Sequence, residues 1–345
     1  MSVKVLAVDD SALMRKLFTQ LFEKEGFTVQ VARNGEEALS KAVDFKPDCI
    51  TLDINMPVMD GMTCLALLRK LYPCPTIMVS SLTQKGAAIT LEALALGASD
   101  FVLKTGGTVT RDISDIETPL INKINALAKT GRAQRPIIKE PPVVKQKVVR
   151  NSKTAPFEVV LIGVSTGGPR KLEHLVTNIS PSFPAPIVIS QHMPASFTQA
   201  LAKRLDGLSP LNVVEVDSRM KLEAGKIYLA KGDADLAFSK AGSDIHVRPV
   251  PASPSFLWHP SVDRMVDSAL SCYQPVSMLC IQLTGMGCDG VAAMSKAFKG
   301  GATTIAESEA TSVVFGMPKE LIEAGCASHV LDSPKIVSKL NALCR

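Results

Sequence analysis

The sequence predicts two α/β domains, each built on an open, doubly wound sheet of mostly parallel strands. Short apolar and β-branched runs alternate with stretches of helical period through residues 1–128 and again after residue 156, as in chains of βαβ units. The 345 residues also exceed the roughly 250 to 300 at which a single core usually stops growing. We therefore predict a first domain at 1–128, a linker at 129–155 and a second domain at 156–345.

The first domain is predicted to hold five parallel strands, at residues 4–8, 28–32, 49–52, 76–80 and 101–103. Leu13, Leu17 and Leu21 show the i, i+4 spacing of a helix between the first two strands. Connections between parallel strands are right-handed, so such a series of units forms an open, doubly wound sheet.

The linker carries the charge excess of the chain. The formal net charge is +5, and residues 129–155 contain eight basic residues and one acidic residue. Prolines and like charges there interrupt both helix period and strand alternation, which indicates an extended tether. The segment lacks interleaved aromatic residues and an amphipathic period, so we do not expect it to bind nucleic acid or a membrane surface.

The second domain is predicted to be larger and mostly parallel. Strand-like runs at 159–163, 187–191, 278–283 and 303–306 alternate with helical stretches. Residues 212–250 contain several shorter strands separated by glycine-containing turns, which suggests an antiparallel edge.

The sequence also suggests where the protein resides. Met1-Ser2-Val3-Lys4 leads directly into the first strand without a signal-peptide apolar region, and no apolar run has the length of a membrane span. The eight cysteines show no C-x-x-C spacing, which favours reduced thiols over a zinc ribbon or a redox pair. We expect a cytoplasmic protein without direct membrane insertion.

Polar residues follow four strands of the first domain, namely Asp9 with Asp10, Asp53, Ser80 and Lys104. In an open parallel sheet, functional side chains gather beyond the carboxyl ends of the strands. Converging carboxylates repel one another unless a hard cation joins them, and Mg²⁺ fits such oxygen ligands. Asp53 is then a candidate phosphate acceptor, with Lys104 and Ser80 as partners for the added charge. Taken singly, each residue has an ordinary structural explanation, such as a helix cap or a solvated charge.

The pattern as a whole resembles the receiver domain of bacterial response regulators. The resemblance rests on Asp9-Asp10-Ser11, the segment 53–61, Ser80-Ser81 and Lys104 in this order and spacing. It implies a flavodoxin-like domain that a histidine kinase phosphorylates on Asp53. It also implies a Mg²⁺ site in which Asp10 is a direct ligand, Asp9 assists, and Asp53 and the Asn55 carbonyl contribute. Thr105 follows Lys104 where that family usually has proline, which puts the local loop geometry in doubt.

The second domain carries a possible hydrolytic site. Ser165 lies in a glycine-rich turn between a strand and a helix, where a serine is exposed and well oriented for attack. A serine hydroxyl needs a base at neutral pH, and His192 follows the next predicted strand. Asp289, at another strand-to-helix turn, is the candidate to orient the imidazole. His259 is the alternative histidine, because it precedes Pro260-Ser261-Val262-Asp263.

A dinucleotide site is the main competing interpretation of this domain. Residues 285–290 satisfy G-x-G-x-x-G after a strand and before a helix, and Glu307 ends the next strand. Against this, the motif lies late in the domain, with little chain left for two mononucleotide halves. Asp289 would also place a carboxylate beside the pyrophosphate.

Three segments of the second domain resemble the protein-glutamate methylesterase/glutaminase of bacterial chemotaxis. They are 163–169, 191–194 with Phe197-Thr198, and 283–290. The resemblance implies a Ser165, His192 and Asp289 triad, with backbone N–H groups near Thr166 and Met286 as the oxyanion hole and no cofactor for the esterase chemistry. It further implies demethylation of glutamate methyl esters, and deamidation of glutamines, on methyl-accepting chemoreceptors.

Two functions of other classes compete with the esterase interpretation. A response regulator with a DNA-binding output is disfavoured because residues 156–345 contain 17 basic and 17 acidic residues. A phosphorylation-gated interaction protein with an inactive esterase remains open at this stage, and a serine-reactive probe distinguishes it from an enzyme.

Overall fold

A computed structural model of the chain describes residues 2–81, 84–104, 114–130 and 157–342. The chain forms two compact units that divide between residues 138 and 139. Thr105 and most of the predicted linker lie outside the described residues. Among the described residues, no helix is long and apolar enough to cross a membrane.

The first unit is a five-stranded parallel sheet with intervening helices. Its elements are β1 (Lys4–Val8), α1 (Ala12–Lys24), β2 (Thr28–Ala32), α2 (Gly35–Phe45), β3 (Cys49–Asp53), α3 (Gly61–Leu71), β4 (Thr76–Ser81), α4 (Gln84–Leu96), β5 (Asp100–Lys104) and α5 (Ser114–Thr130). The strand order is β2-β1-β3-β4-β5, and every pairing is parallel. This is the flavodoxin-like order, in which the chain reverses direction across the sheet between β1 and β3.

Local sequence explains where the helices of this unit begin. Ser11, Asn34 and Asp60 each precede a helix, and each side chain accepts a backbone N–H of the first turn. The strands β1 and β3 are almost entirely apolar and buried, as expected for strands covered on both faces. Their carboxyl ends place Asp9 and Asp53 at the reversal point.

The second unit has a seven-stranded parallel sheet. Its elements are β6 (Val159–Val164), α6 (Gly168–Asn178), β7 (Ile187–Gln191), α7 (Ala195–Leu208), β8 (Asn212–Val216), β9 (Met220–Lys221), β10 (Lys226–Ala230), β11 (Ala234–Ala241), β12 (Asp244–Pro251), α8 (Val262–Leu270), β13 (Met278–Gln282), α9 (Val291–Lys299), β14 (Thr303–Glu307), α10 (Met317–Glu323), β15 (His329–Leu331) and α11 (Ser333–Ala342). The order of the large sheet is β15-β14-β13-β6-β7-β10-β8.

The predicted fold class is confirmed in both units. In the stretch expected to form an antiparallel edge, β9, β11 and β12 make a three-stranded antiparallel sheet, whereas β8 and β10 join the parallel sheet. In the large sheet, β7 lies on one side of β6 and the later strand β13 on the other. The reversal point is therefore at β6, where an open α/β sheet leaves a crevice.

Candidate active site and acidic pocket

The three candidate residues of the second unit follow three adjacent strands. Ser165 comes directly after β6, His192 directly after β7, and Asp289 lies beyond β13. Backbone hydrogen bonds continue past the strand ends, since His192 N–H donates to the Val164 carbonyl (3.1 Å) and Ser165 N–H donates to the Thr284 carbonyl (2.9 Å). The sheet thus brings these residues to one edge.

His192 and Asp289 form a buried hydrogen-bonded pair. Nε2 of His192 lies 2.7 Å from Oδ2 of Asp289, and the two side chains are 5% and 7% exposed. Asp289 also accepts hydrogen bonds from Ser261 Oγ (3.0 Å) and from the backbone N–H groups of Val262 (2.7 Å) and Asp263 (3.0 Å), at the start of α8. Burial alone would raise the pKa of this carboxyl, but the hydrogen bond with His192, followed by those from the backbone N–H groups of Asp263 and Val262, holds it below its usual value.

The ionised carboxylate fixes the tautomer of the imidazole. A carboxylate only accepts hydrogen bonds, so Nε2 of His192 carries the proton and Nδ1 keeps its lone pair. Nδ1 is buried and has no hydrogen-bond partner among the described residues. The Ser165 hydroxyl therefore makes no hydrogen bond to His192 in this structure, and Nδ1 is the nitrogen left to act as a base.

The Gln191 side chain and the glycine pair 167–168 shape the turn that carries Ser165. Gln191 Nε2 donates to the carbonyl oxygens of both Ser165 and His192, each at 3.1 Å. A Cβ at Gly168 would lie only 2.0 Å from Gln191 Oε1, and Gly167 has a φ of +79°. Only glycine avoids both the collision and the left-handed strain, which explains the Gly-Gly pair after Ser165.

Thr284 connects the Ser165 turn to the loop after β14. Its buried hydroxyl donates to the Thr166 carbonyl (2.9 Å) and accepts the N–H groups of Val313 and Val314 (2.9 Å each). Its own N–H donates to Glu307 Oε2 (2.9 Å). The sequence analysis missed Thr284 because a buried threonine at a strand end has no distinguishing local signal.

Glu307, the residue that a dinucleotide site would use, forms a buried ion pair with Lys171. The carboxylate is fully buried, and its Oε1 lies 2.8 Å from Lys171 Nζ of α6 and 2.9 Å from the Thr311 hydroxyl, which donates to it. A carboxylate engaged in this way is not available to a ribose hydroxyl. The geometry therefore argues against the dinucleotide interpretation.

The two backbone groups expected at the oxyanion hole flank Ser165 from different loops. Thr166 directly follows Ser165 and is buried. Met286 follows Gly285, where a Cβ would lie 2.8 Å from the Ser165 Cβ. The Gly285 carbonyl accepts N–H groups of Gly316 and Met317, and among the described residues nothing accepts the Met286 N–H.

His259, the alternative histidine, does not contact Asp289. Its Nδ1 lies 2.8 Å from Oδ1 of Asp235, a buried carboxylate that also accepts Arg264 Nη1 at 2.7 Å and the Ser261 N–H at 2.8 Å. Asp235 thus holds the start of α8, whose first residues donate to Asp289. The contacts of the two histidines therefore favour His192 over His259 as the partner of Asp289.

An aromatic side chain stacks on His192. The imidazole stacks on the indole of Trp258, with ring centroids 5.6 Å apart and planes inclined by 12°. The sequence analysis did not single out Trp258, because it belongs to none of the motifs at the strand ends.

The first unit contains a compact acidic pocket. Asp9, Asp10 and Asp53 each offer an oxygen within 4.8 Å of the others; Asp9 and Asp53 are buried, and Asp10 is exposed. Lys104 Nζ lies 3.0 Å from Asp9 Oδ2 and 2.8 Å from Asp53 Oδ2. Four of the five side chains predicted for this pocket, Asp9, Asp10, Asp53 and Lys104, therefore come together, with one cation against three carboxylates.

Burial shifts the ionisation of this pocket. It raises the pKa of Asp53, and Asp9 adds to the rise, whereas Lys104 opposes it. Burial alone would lower the pKa of Lys104, but the charges of Asp53 and Asp9 raise it.

Ser80, at the end of β4, is buried and accepts a hydrogen bond from Thr90 (2.8 Å). Asn55 is exposed just after β3.

Known proteins with the same organisation are similar over the whole chain. Residues 160–340 match the family model of the CheB methylesterase, and residues 5–110 match that of the response regulator receiver domain. A protein-glutamate methylesterase/protein-glutamine glutaminase of Rhodospirillum rubrum is 48% identical, with 98% of this chain and 95% of that protein covered. One from Carboxydothermus hydrogenoformans is 42% identical, with 99% of both covered.

A solved structure gives the same result for the second unit. The CheB methylesterase catalytic domain of Thermotoga maritima is 41% identical, with a TM-score of 0.52, and the match covers 54% of this chain and 98% of that domain. The resemblance on which the sequence analysis relied is confirmed. The methylesterase family model matches more than half of the chain, and the two relatives are similar to it over nearly their full length. The chain therefore belongs to the CheB methylesterase family.

Proposed function

We propose that this chain hydrolyses glutamate γ-methyl esters on methyl-accepting chemoreceptors, releasing methanol, and deamidates glutamines at such positions. Ser165 is the nucleophile, His192 the general base and Asp289 the residue that orients the imidazole. The observation that carries the proposal is the buried His192–Asp289 hydrogen bond, which leaves Nδ1 of His192 without a partner among the described residues. The backbone N–H of His192 donates to the Val164 carbonyl, one residue before Ser165.

The chemistry follows in two half-reactions. The Ser165 oxygen bonds to the ester carbon while His192 Nδ1 takes the hydroxyl proton, and this proton then leaves with the methoxy group as methanol. Water next attacks the acyl-enzyme, gives a proton to His192, and restores the serine and a free glutamate. With glutamine as substrate, the first leaving group is ammonia. The steps need no redox partner and no cofactor.

Backbone donors stabilise the charge that develops on the carbonyl oxygen. The N–H groups of Thr166 and Met286 are the proposed donors, since both lie on loops that contact Ser165. Loss of one such donor typically costs on the order of 3 kcal/mol of transition-state stabilisation.

The acidic pocket is proposed to be the phosphorylation site. Asp9, Asp10 and Asp53, with the Asn55 carbonyl, form an oxygen-rich set suited to Mg²⁺, and the 4.8 Å clustering of their carboxylates supports this assignment. Held by these carboxylates, Mg²⁺ would supply positive charge against the incoming phosphoryl group. Asp53 accepts the phosphoryl group from a histidine kinase, and Lys104 and Ser80 then bind it.

Phosphorylation is proposed to relieve inhibition of the esterase. In this arrangement residues 1–128 regulate, 129–155 connect and 156–345 catalyse. A change from 10:1 inactive to 10:1 active requires about 2.7 kcal/mol, which a new divalent charge and its hydrogen bonds can supply. A cytoplasmic location completes the proposal, and the free cysteines among the described residues fit a reducing compartment.

Methanol release from methylated receptor membranes tests both parts on the full chain. We expect a small acyl-phosphate donor with Mg²⁺ to stimulate the wild-type protein, and Ser165→Ala to lower the rate about 10⁴-fold or more. Asp53→Asn should keep the basal rate but lose the stimulation. Ser338→Ala, a surface serine of α11 whose hydroxyl donates to the Pro334 carbonyl, is the control.

Two outcomes would contradict the proposal separately. A Ser165→Ala protein that releases methanol at the native rate would remove the enzyme assignment. An Asp53→Asn protein that responds fully to the phosphodonor would remove the regulatory assignment and leave the esterase in place.

A further inference from the structure

Trp258 is the one tryptophan of the chain, and its ring lies flat against His192. A plane angle of 12° at a centroid distance of 5.6 Å is an offset stack. The indole Nε1 also faces the 285–290 loop, 3.5 Å from the position of a Cβ at Gly287. Trp258 therefore contacts two of the segments that form the candidate active site.

The residues after Trp258 are anchored, so the indole is held from one side. The Pro260 carbonyl accepts the hydroxyl of buried Ser190 (2.6 Å), and the Ser261 N–H donates to Asp235 (2.8 Å). On the other side Leu257 is 83% exposed. The polypeptide thus presents the indole to His192 from a fixed point at the rim of the site.

We propose that Trp258 is a positioning residue for His192, which keeps the imidazole in the plane that joins Nε2 to Asp289 and stabilises the imidazolium formed during catalysis. This inference rests on the proposed esterase function. It adds Trp258, a residue that neither the sequence motifs nor the strand ends indicate, to the groups that support this function.

The stack acts on the ring in two ways. A hydrogen bond to Asp289 fixes one edge of the imidazole but still permits rotation about that contact, and a flat aromatic neighbour removes this freedom. The negative face of an indole also attracts a cation more strongly than a neutral ring. Because His192 becomes cationic only as Ser165 attacks, this attraction favours the transition state over the ground state.

Other charged groups near His192 are already paired. Asp289 faces its Nε2, while Asp235 pairs with His259 and Arg264 on the segment that follows Trp258. Asp233 accepts the Ala195 N–H at the start of α7. His259, next to Trp258 in the chain, is therefore the second imidazole that a test of the stack must distinguish from His192.

The single tryptophan supplies a direct test on the full chain. An imidazole stacked on an indole alters the emission of the indole, so removal of the stacked ring should change the emission of the folded protein at a fixed pH of about 7. We expect His192→Gln to change the intensity or the maximum of Trp258 emission and His259→Gln to leave both as in the wild-type protein. An unchanged emission in His192→Gln, or an equal change in His259→Gln, would overturn the proposed contact.

Kinetics test the consequence for catalysis. Trp258→Leu should lower kcat about tenfold with a KM within about twofold, and Trp258→Phe, which restores an aromatic face, should recover most of the loss. Leu257→Ala, at the adjacent exposed position, should leave kcat unchanged. Equal values of kcat for the Leu and Phe variants, or a change confined to KM, would refute the positioning role. The fluorescence result does not depend on turnover, so a failure of the esterase assignment is distinguishable from a failure of the stack.

Discussion

Removal of the Thr284 hydroxyl should weaken both the fold and the catalysis of the second unit. Thr284→Val keeps the shape of the buried side chain and deletes a hydroxyl that makes one hydrogen bond to the Thr166 carbonyl and two from Val313 and Val314. At about 1 kcal/mol net for each bond, we expect the free energy of unfolding to fall by about 3 kcal/mol.

The same change should also reduce kcat. Thr284 holds the carbonyl of Thr166 through its hydroxyl and the N–H of Ser165 through its own carbonyl. A nucleophile displaced by a fraction of an ångström loses productive geometry, so we expect a fall in kcat of about tenfold or more. Thr284→Ser, which keeps the hydroxyl, should restore most of the rate.

Thr304 offers a matched control in the neighbouring strand. It is equally buried, and its hydroxyl donates to the Cys326 carbonyl (2.6 Å) and accepts the Ser328 N–H (2.9 Å), away from Ser165. Thr304→Val should cost about 2 kcal/mol and leave kcat of the folded protein unchanged. Urea unfolding followed by Trp258 emission reports the second unit alone. A Thr284→Val protein within 0.5 kcal/mol of wild type, or an equal loss of kcat in both variants, would refute the reasoning.

Two further changes test buried charges. Burial raises the pKa of Asp235, but hydrogen bonds led by that of His259 hold it below 3.8, so its stabilisation is present above about pH 4 and is lost as the pH falls through the folded value. Asp235→Asn should therefore cost about 2 kcal/mol at pH 7 in urea unfolding, and this difference should shrink below pH 4; a constant difference would contradict the pKa assignment. Lys171→Met leaves the fully buried Glu307 without its cation and should cost about 3 kcal/mol, part of which Lys171→Met with Glu307→Gln should recover. An unchanged urea midpoint in the single variant would show that the pair contributes nothing.

Most strands of the two parallel sheets were predictable because each is a short apolar run between helical periods. Their bounds differ where polar ends continue the ladder, as at Asp100 and Lys104, which pair with β4. The three-residue β15 was missed because its sequence shows no alternation. The pairing of β8 and β10 within the parallel sheet was also missed, since a strand's pattern records its burial and not its partner.

In the candidate site too, local sequence patterns predicted some residues and could not predict others. Ser165, His192 and Asp289 could be predicted to lie at one edge of the sheet because each follows a strand in a distinctive motif. Trp258 and Thr284 were not, because their roles depend on contacts between segments far apart in the chain. Glu307 was noticed for the wrong reason, since its position at a strand end did not reveal the Lys171 ammonium beside it.

In the proposed mechanism, the environment of Asp289 decides where the positive charge resides during catalysis. Four hydrogen bonds keep this carboxylate ionised, and its lowered pKa makes it a poor acceptor for the imidazole proton. The proton on Nε2 therefore stays on His192 when Nδ1 takes the second proton from Ser165. The imidazolium then lies between a fixed negative charge at its edge and the indole at its face. Because the start of α8, itself held by Asp235, fixes Asp289 and follows Trp258 directly in the chain, stabilisation of the cation requires no rearrangement at the moment of reaction.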